Sequence, residues 1–330
     1  MVRDDFCGKA GAMKSTSTET VITNQKSVTG YSHPDYAASL AEFGVPRLLS
    51  GSGGWILERS IAGTPYCDAM GCYPLFCCTE WSALAQDLEM VGEELTSLVL
   101  VTDPFGNYTQ ETLHSAFGDL AKPFKNHFVV DLEADAETFV DPHHRRYARK
   151  ALSAVLIERC EDVAGQMNDW RDLYAKLIAR HDIRGIARFS DHSFARQSKV
   201  PGGLILRAMH EGQTVGMIWW FVSGNVAYYH LGAYSDRGYE LRASFALFWR
   251  AIKLFKAEGL RWLNLGAGAG VGNNNPMDGL SRFKRGWSTG TRPTYLCRRI
   301  FDRVRYEQLL KSKGIEDTVY FPAYRTGEFV

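Results

Sequence analysis

The sequence predicts an α/β protein made of two tandem units, each a mixed, mostly antiparallel sheet with flanking helices. Three observations lead there. A strand, a helix and a second strand alternate between residues 95 and 132. From Gly203 the hydrophobic period changes to two, through three strands joined by glycine turns. A long amphipathic helix then leads to a strand that closes on glycines. The expected organisation is a disordered tail over 1–35, a degenerate first unit over 36–150 and a better-formed second unit over 151–330.

The start is rich in Ser, Thr, Gly and Lys and lacks hydrophobic periodicity, which is why a loose tail is expected. Gly51-Ser52-Gly53-Gly54 reads as a turn, with a ligand-ordered loop as the alternative. Leu95 to Val101 is a buried strand stopped by Asp103-Pro104; a helix over Gln110 to Leu120 and a strand over His127 to Leu132 follow. Asp141-Pro142 opens the next helix, with an acidic N-cap and proline in the first turn. That helix carries His143, His144, Arg145, Arg146, Arg149 and Lys150. A second helix from Asp162 to Arg180 places Val163, Met167, Trp170, Tyr174, Leu177 and Ile178 on one face. The meander comprises Leu204–Met209, Val215–Val222 and Val226–Tyr234, turning at Glu211-Gly212-Gln213 and Ser223-Gly224-Asn225. Leu241, Phe245, Phe248, Trp249, Ile252 and Phe255 mark a helix stopped by Gly259. Arg261 to Leu265 is the last core strand, closing on Gly266-Ala267-Gly268-Ala269-Gly270.

The 330 residues, 45% hydrophobic, suffice for one large core or two modest ones. A formal net charge of +1 gives no whole-chain attraction to nucleic acid or membrane, so any basic docking surface has to be local. Seven irregularly spaced cysteines exclude a secreted disulfide framework. Cys67, Cys72, Cys77 and Cys78 lack the spacing of paired zinc ligands and read as buried thiols. There is no apolar signal region at the start and no run long enough to span a bilayer, so a cytoplasmic protein without membrane insertion or bound metal is expected.

The order of helices, three-strand meander, helix and strand is that of the GNAT acyltransferase fold. Gly279-Leu280-Ser281-Arg282-Phe283-Lys284-Arg285-Gly286-Trp287, following a Gly-rich strand end, resembles the Fem-type branch, the peptidoglycan-bridge aminoacyltransferases and their relatives. The basic helix from His144 to Lys150 and the closing Tyr320-Phe321-Pro322-Ala323-Tyr324-Arg325 share in that resemblance, which spans roughly residues 95 to 325. It implies two tandem GNAT-like domains. It also implies that Lys284 stabilises the oxyanion while Phe283 packs beside the donor.

Amide formation needs a fixed donor carbonyl, an amine that loses a proton and a stabilised oxyanion. Backbone N–H groups from Tyr229 to Ser235 are placed to hold the donor. Tyr228, Tyr234, Ser235 and Asn264 at the strand ends, with Arg282, Arg285 and Trp287 of the motif, are the candidate donor- and substrate-binding residues. His230, Asp236 and Glu240 are the candidate bases, a core role for the histidine being the alternative. Tyr228, Tyr229, Trp219 and Trp220 read either as a stacking platform or as core.

No tightly bound cofactor is expected. The acyl donor is either aminoacyl-tRNA, as in the Fem-type branch, or acyl-CoA. The loop Ser235-Asp236-Arg237-Gly238-Tyr239-Glu240 has one glycine and two carboxylates, a poor seat for pyrophosphate, which tilts the expectation towards tRNA. Arg145, Arg146, Arg149 and Lys150, with Lys122 and Lys125, are the candidate tRNA contacts. The other partner is an amine acceptor. A non-catalytic binding protein on a relic of the fold is the remaining reading.

Overall fold

A computed structural model of the chain describes residues 28–268, 278–315 and 318–328. In the first half, α1 (Pro34–Ala38) leads into β1 (Val45–Leu49), β2 (Gly54–Ser60) and β3 (Cys67–Gly71). Helix α2 (Leu84–Gly92) carries the chain to β4 (Leu95–Val101), and α3 (Gln110–Phe117) carries it to β5 (Ala121–Asp131). Helices α4 (Ala136–Phe139) and α5 (Pro142–Leu152) and strand β6 (Leu156–Cys160) join the halves. The second half begins with α6 (Met167–His181) and α7 (Asp191–Gln197), then β7 (Gly203–His210), β8 (Gln213–Ser223) and β9 (Val226–Tyr234). After α8 (Asp236–Glu240) and α9 (Ala243–Ala257) come β10 (Trp262–Asn264), α10 (Gly279–Arg285), β11 (Gly290–Ile300) and α11 (Arg303–Ser312).

The two halves repeat one pattern. Strands β1, β2 and β3 pair antiparallel and β3 pairs parallel with β4. Strands β7, β8 and β9 do the same, and β9 pairs parallel with β10. Both parallel pairs need a crossover, supplied by α2 in one unit and by α8 and α9 in the other. The final strands are exchanged: β5 of the first unit lies against β10 and β11 of the second lies against β4. Strands β5 and β11 also pair with each other, so the order is β1-β2-β3-β4-β11-β5-β10-β9-β8-β7-β6, one continuous sheet.

Packing joins the units as well. On one face a single core draws Tyr36, Leu57 and Met70 from the first half and Trp170, Trp219 and Phe221 from the second. On the other face each unit has its own helical layer. Leu84, Leu88 and Leu113 of α2 and α3 cover the first sheet half. Ala148, Phe248 and Phe255 of α5 and α9 cover the second.

Several expectations change in detail. The chain packs from well before residue 35: Tyr31 is 5% exposed and its hydroxyl bonds His230. Residues 1–27, the rest of the expected tail, lie outside the described residues, as do Ala269 and Gly270. Gly51 to Gly54 forms the tight turn of the β1–β2 hairpin, with Gly53 at φ +71. The N–H groups of Gly51 and Ser52 donate to the buried Asp87 carboxylate at 2.9 and 2.6 Å, which satisfies both backbone donors of the turn. Cys72, Cys77 and Cys78 follow β3; burial pushes the Cys72 thiol up to about 12 and raises the other two as well. They are packed as neutral thiols.

Because β10 relies on β5 for its second partner, residues 151–330 expressed alone should fail to give a cooperative thermal transition by circular dichroism. A folded, monomeric fragment would show that the exchanged strand is dispensable.

Candidate active site

The parallel pairing of β9 and β10 stops early. Trp262 pairs with Val226, Leu263 with Ala227 and Asn264 with Tyr228, after which β10 ends while β9 runs on to Tyr234. One extra residue is accommodated in β9 immediately beyond that point, where the register against β8 shifts between Trp219 and Trp220. Such a bulge bends and twists its strand, so the two strands part here. In the first unit the corresponding gap is refilled. Phe76 bridges Thr102 in parallel and its N–H donates to the Val101 carbonyl at 2.7 Å. Among the described residues no such bridge joins the ends of β9 and β10.

Lys284 occupies the parting. Asp278 caps α10 by accepting from the Ser281 N–H, and the helix delivers the lysine at 6% exposure. Its Nζ donates to the Ala267 carbonyl at 2.7 Å and lies 5.7 Å from the centre of the Tyr229 ring. Gly266, at φ +74, leaves room for it, since a Cβ there would stand 3.1 Å from Nζ. Burial pulls the ammonium down to about 7; the nearby Lys125 adds to the shift and Asp278 opposes it. Among the described residues Ala267 takes one of its three N–H donors, and an ammonium can offer the others to an anionic oxygen.

His127 and Asn264 form the floor beside it. His127 Nδ1 lies 3.0 Å from Asn264 Oδ1, which also accepts the Gly266 N–H at 2.9 Å. The amide oxygen can only accept, so the imidazole carries its proton on Nδ1. Burial pushes His127 down to about 4, and the Lys284 charge pushes the same way, so this imidazole is neutral. Asp103, just past β4, reaches across from the first unit. Its Oδ2 accepts from the Tyr228 hydroxyl at 2.8 Å and its Oδ1 from the Phe105 N–H at 3.0 Å. Burial raises this carboxyl above the usual range. Sequence reasoning passed over both residues: Asp103-Pro104 reads as a strand stop, and His127 looks like an ordinary strand position. Neither local pattern signals that β5 is inserted next to β10.

The remaining candidates divide. Asn264 and Tyr228 are the last pair before the strands part. Phe283 packs among Phe245, Phe248, Trp287 and His144, and Trp287 is fully buried, so both build the core under α10. Tyr229 contacts Lys284 in place of Phe283, and its hydroxyl pairs with that of the buried Tyr234. Ser235 caps α8, accepting the Gly238 N–H at 3.1 Å.

None of the three expected bases lies against Lys284. His230 points to the other face of β9, held by Tyr31 at 3.2 Å and Gln197 at 3.0 Å inside a cage of Tyr36, Phe189, Trp219 and Phe221. Burial pushes it down to about 3, as befits a neutral core histidine. Asp236 and Glu240 are exposed, ion-paired with Arg180 and Arg237. The alternation of side chains along β9 puts Tyr229 and His230 on opposite faces.

A groove of about 900 Å³ runs between the start of α5 and α10, bordered by Asp141, His143, Phe245, Arg282, Arg285 and Gly286. His144 closes its base, with Nε2 3.0 Å from the Phe283 carbonyl. Of the basic side chains on α5, Arg145 and Arg149 both reach Glu137, while Arg146 contacts His143 and Lys150 is exposed.

The acetyltransferase (GNAT) domain family matches residues 129–285. No curated protein matches the sequence. Among solved structures, FemX is similar at a TM-score of 0.63 and 12% identity, over 83% of this chain and 93% of that one. L-PGS from Bacillus licheniformis is similar at 0.52 and 14%, over 88% and 98% of the two chains. The C-terminal domain of a candidate lysylphosphatidylglycerol synthetase from Agrobacterium fabrum gives 0.58 and 14%, over 87% and 92%.

Lys284 should titrate near 7 in a lysine side-chain NMR experiment and vanish in Lys284→Met. Since an unfolded lysine keeps its proton up to about 10.5, the unfolded chain binds the extra proton between about 7 and 10.5, and stability should rise with pH across that window. Lys284→Met should flatten the rise and stabilise the fold at neutral pH by on the order of 1 kcal/mol. A slope unchanged by the substitution would mean that the ammonium is solvated.

Proposed function

With residues 129–285 matching the GNAT acetyltransferase domain family and a fold similar to that of FemX, we propose that this protein moves an aminoacyl or acyl group from an activated carrier to an amine and so forms an amide. The observation that carries the reading is the Lys284 ammonium, buried where β9 and β10 part and anchored on Ala267. The acceptor nitrogen bonds to the donor carbonyl carbon, the carbonyl electrons move onto oxygen beside Lys284, and the carrier leaves as that oxyanion collapses. The proton given up by the nitrogen ends on the departing carrier atom. Stabilisation of the oxyanion uses the charged lysine, so the lowered proton affinity sets an upper pH limit on this role.

Aminoacyl-tRNA is the donor favoured here. Ser235 already occupies the Gly238 N–H, and Gly238 packs so closely on the Val215 carbonyl that a Cβ would stand 2.0 Å from it. With Asp236 exposed at the same helix start, little is left to receive a CoA pyrophosphate. The groove beside α10 offers Arg282, Arg285 and His143 at its rim, next to Arg146 and Lys150. Such a surface suits the phosphates of an RNA acceptor stem. Arg145 and Arg149 are less available because Glu137 engages both.

Lys284→Ala should lower turnover by roughly 100- to 1,000-fold without unfolding the protein; wild-type rates in the variant would remove the lysine from the chemistry. Neutralising Arg146, Lys150 and Arg282 together should weaken charged tRNA in a band-shift assay and reduce the salt dependence, by more than neutralising Arg145 and Arg149 does. Calorimetric binding of acetyl-CoA with no tRNA shift would favour the thioester donor.

A further inference from the structure

Arg292, on β11, belongs to none of the roles above, and its setting is unusual. Its guanidinium lies 4.4 Å from the centre of the Phe105 ring and 4.6 Å from that of Trp262, and the two rings are themselves 5.8 Å apart. All three side chains are half-buried. Among the described residues no hydrogen bond or ion pair engages the Arg292 guanidinium. Asp103 is close enough to feel its charge, yet Phe105 N–H takes one oxygen of that carboxylate and the Tyr228 hydroxyl takes the other. A half-buried guanidinium packed against two neighbouring rings, with no hydrogen-bond partner among the described residues, is prepared for a bidentate anion.

Its place in the sheet connects it to the parting of β9 and β10. Arg292 pairs with His127 of β5, and the neighbouring Phe128 N–H donates to the Gly266 carbonyl of the chain leaving β10. Two strand spacings separate Arg292 from the Gly266–Ala267 backbone that anchors Lys284, which is about 10 Å. Residues of both units meet here: Asp103 and Phe105 follow β4, while Trp262 and Arg292 come from the second half.

We propose that Arg292 binds an anionic group, carboxylate or phosphate, of the amine acceptor, so that the acceptor is an amine that also bears a negative charge. This rests on the amide-forming reading above and narrows its substrate class. The Phe105 and Trp262 rings hold the guanidinium in place, and the acceptor chain lies along the floor from Arg292 towards Lys284.

Chain-matched probes test it: 6-aminohexanoate, 5-aminopentyl phosphate and uncharged 5-aminopentanol, each titrated calorimetrically into the full-length protein. The wild type should bind at least one of the two anionic probes about tenfold more tightly than the alcohol; the stronger arm tells carboxylate from phosphate. Arg292→Gln should abolish that preference while leaving the alcohol's affinity unchanged, and Arg292→Lys should restore part of it. No preference in the wild type, or a preference that survives in Arg292→Gln, would overturn the proposal. A drop in melting temperature in Arg292→Gln with the preference retained would make the stack a structural clamp and would overturn it too. Turnover of Lys284→Ala reads the underlying reaction separately: anion preference without any amide product would sink acyl transfer and leave the Arg292 site standing.

Discussion

A lysine ammonium buried at the point where two parallel strands separate is the constraint around which the rest of this molecule is organised. Removing an ammonium from water is costly, and the chain offsets little of that cost: one carbonyl, one tyrosine face and a capping aspartate at some distance. Among the described residues no carboxylate makes an ion pair with it. A site kept short of negative charge is suited to receive charge that develops during a reaction. The bulge in β9, the short β10 and Gly266 are the local devices that open the space.

The exchange of final strands explains why such a site can draw on the whole chain. With β5 inserted against β10, His127 is brought to Asn264 and Gly266, although more than a hundred residues separate them. With β11 inserted against β4, Arg292 comes within reach of Phe105. The shared core on one face fixes this arrangement, because Tyr36 and Leu57 pack in the same cluster as Trp219 and Phe221. The first unit therefore acts as part of the second unit's site. Its own strand gap is closed by the Phe76 bridge, consistent with a scaffold role for that half.

The division of labour along α10 follows from helical geometry. Phe283 in the helix and Trp287 just past its end both pack on Phe248 of α9, while Lys284 turns to the strand ends and Arg282 and Arg285 turn to the groove. One seven-residue helix thus carries a core anchor, a buried cation and a basic rim. His144, reaching from α5 to the Phe283 carbonyl, ties that helix to the basic one.

The sequence by itself determined the elements whose signal is local. The period-two meander, the amphipathic α9, the Asp141-Pro142 helix start and the Gly-Leu-Ser-Arg-Phe-Lys motif could all be read directly; the strand–helix order carried the fold class, and the resemblance of the motif singled out Lys284. It did not determine which strand lies beside β10, because β5 and β11 are partly polar strands whose partners are set by long-range pairing. Hence His127, Asp103 and Arg292 went unread. His230 went the other way: it is the extra residue of the β9 bulge and sits in an aromatic core, a direction that shows only once the faces of the sheet and the break in register are known. Side-chain type and spacing are encoded along the chain; adjacency across an exchanged sheet is set by backbone pairing that only the folded structure decides.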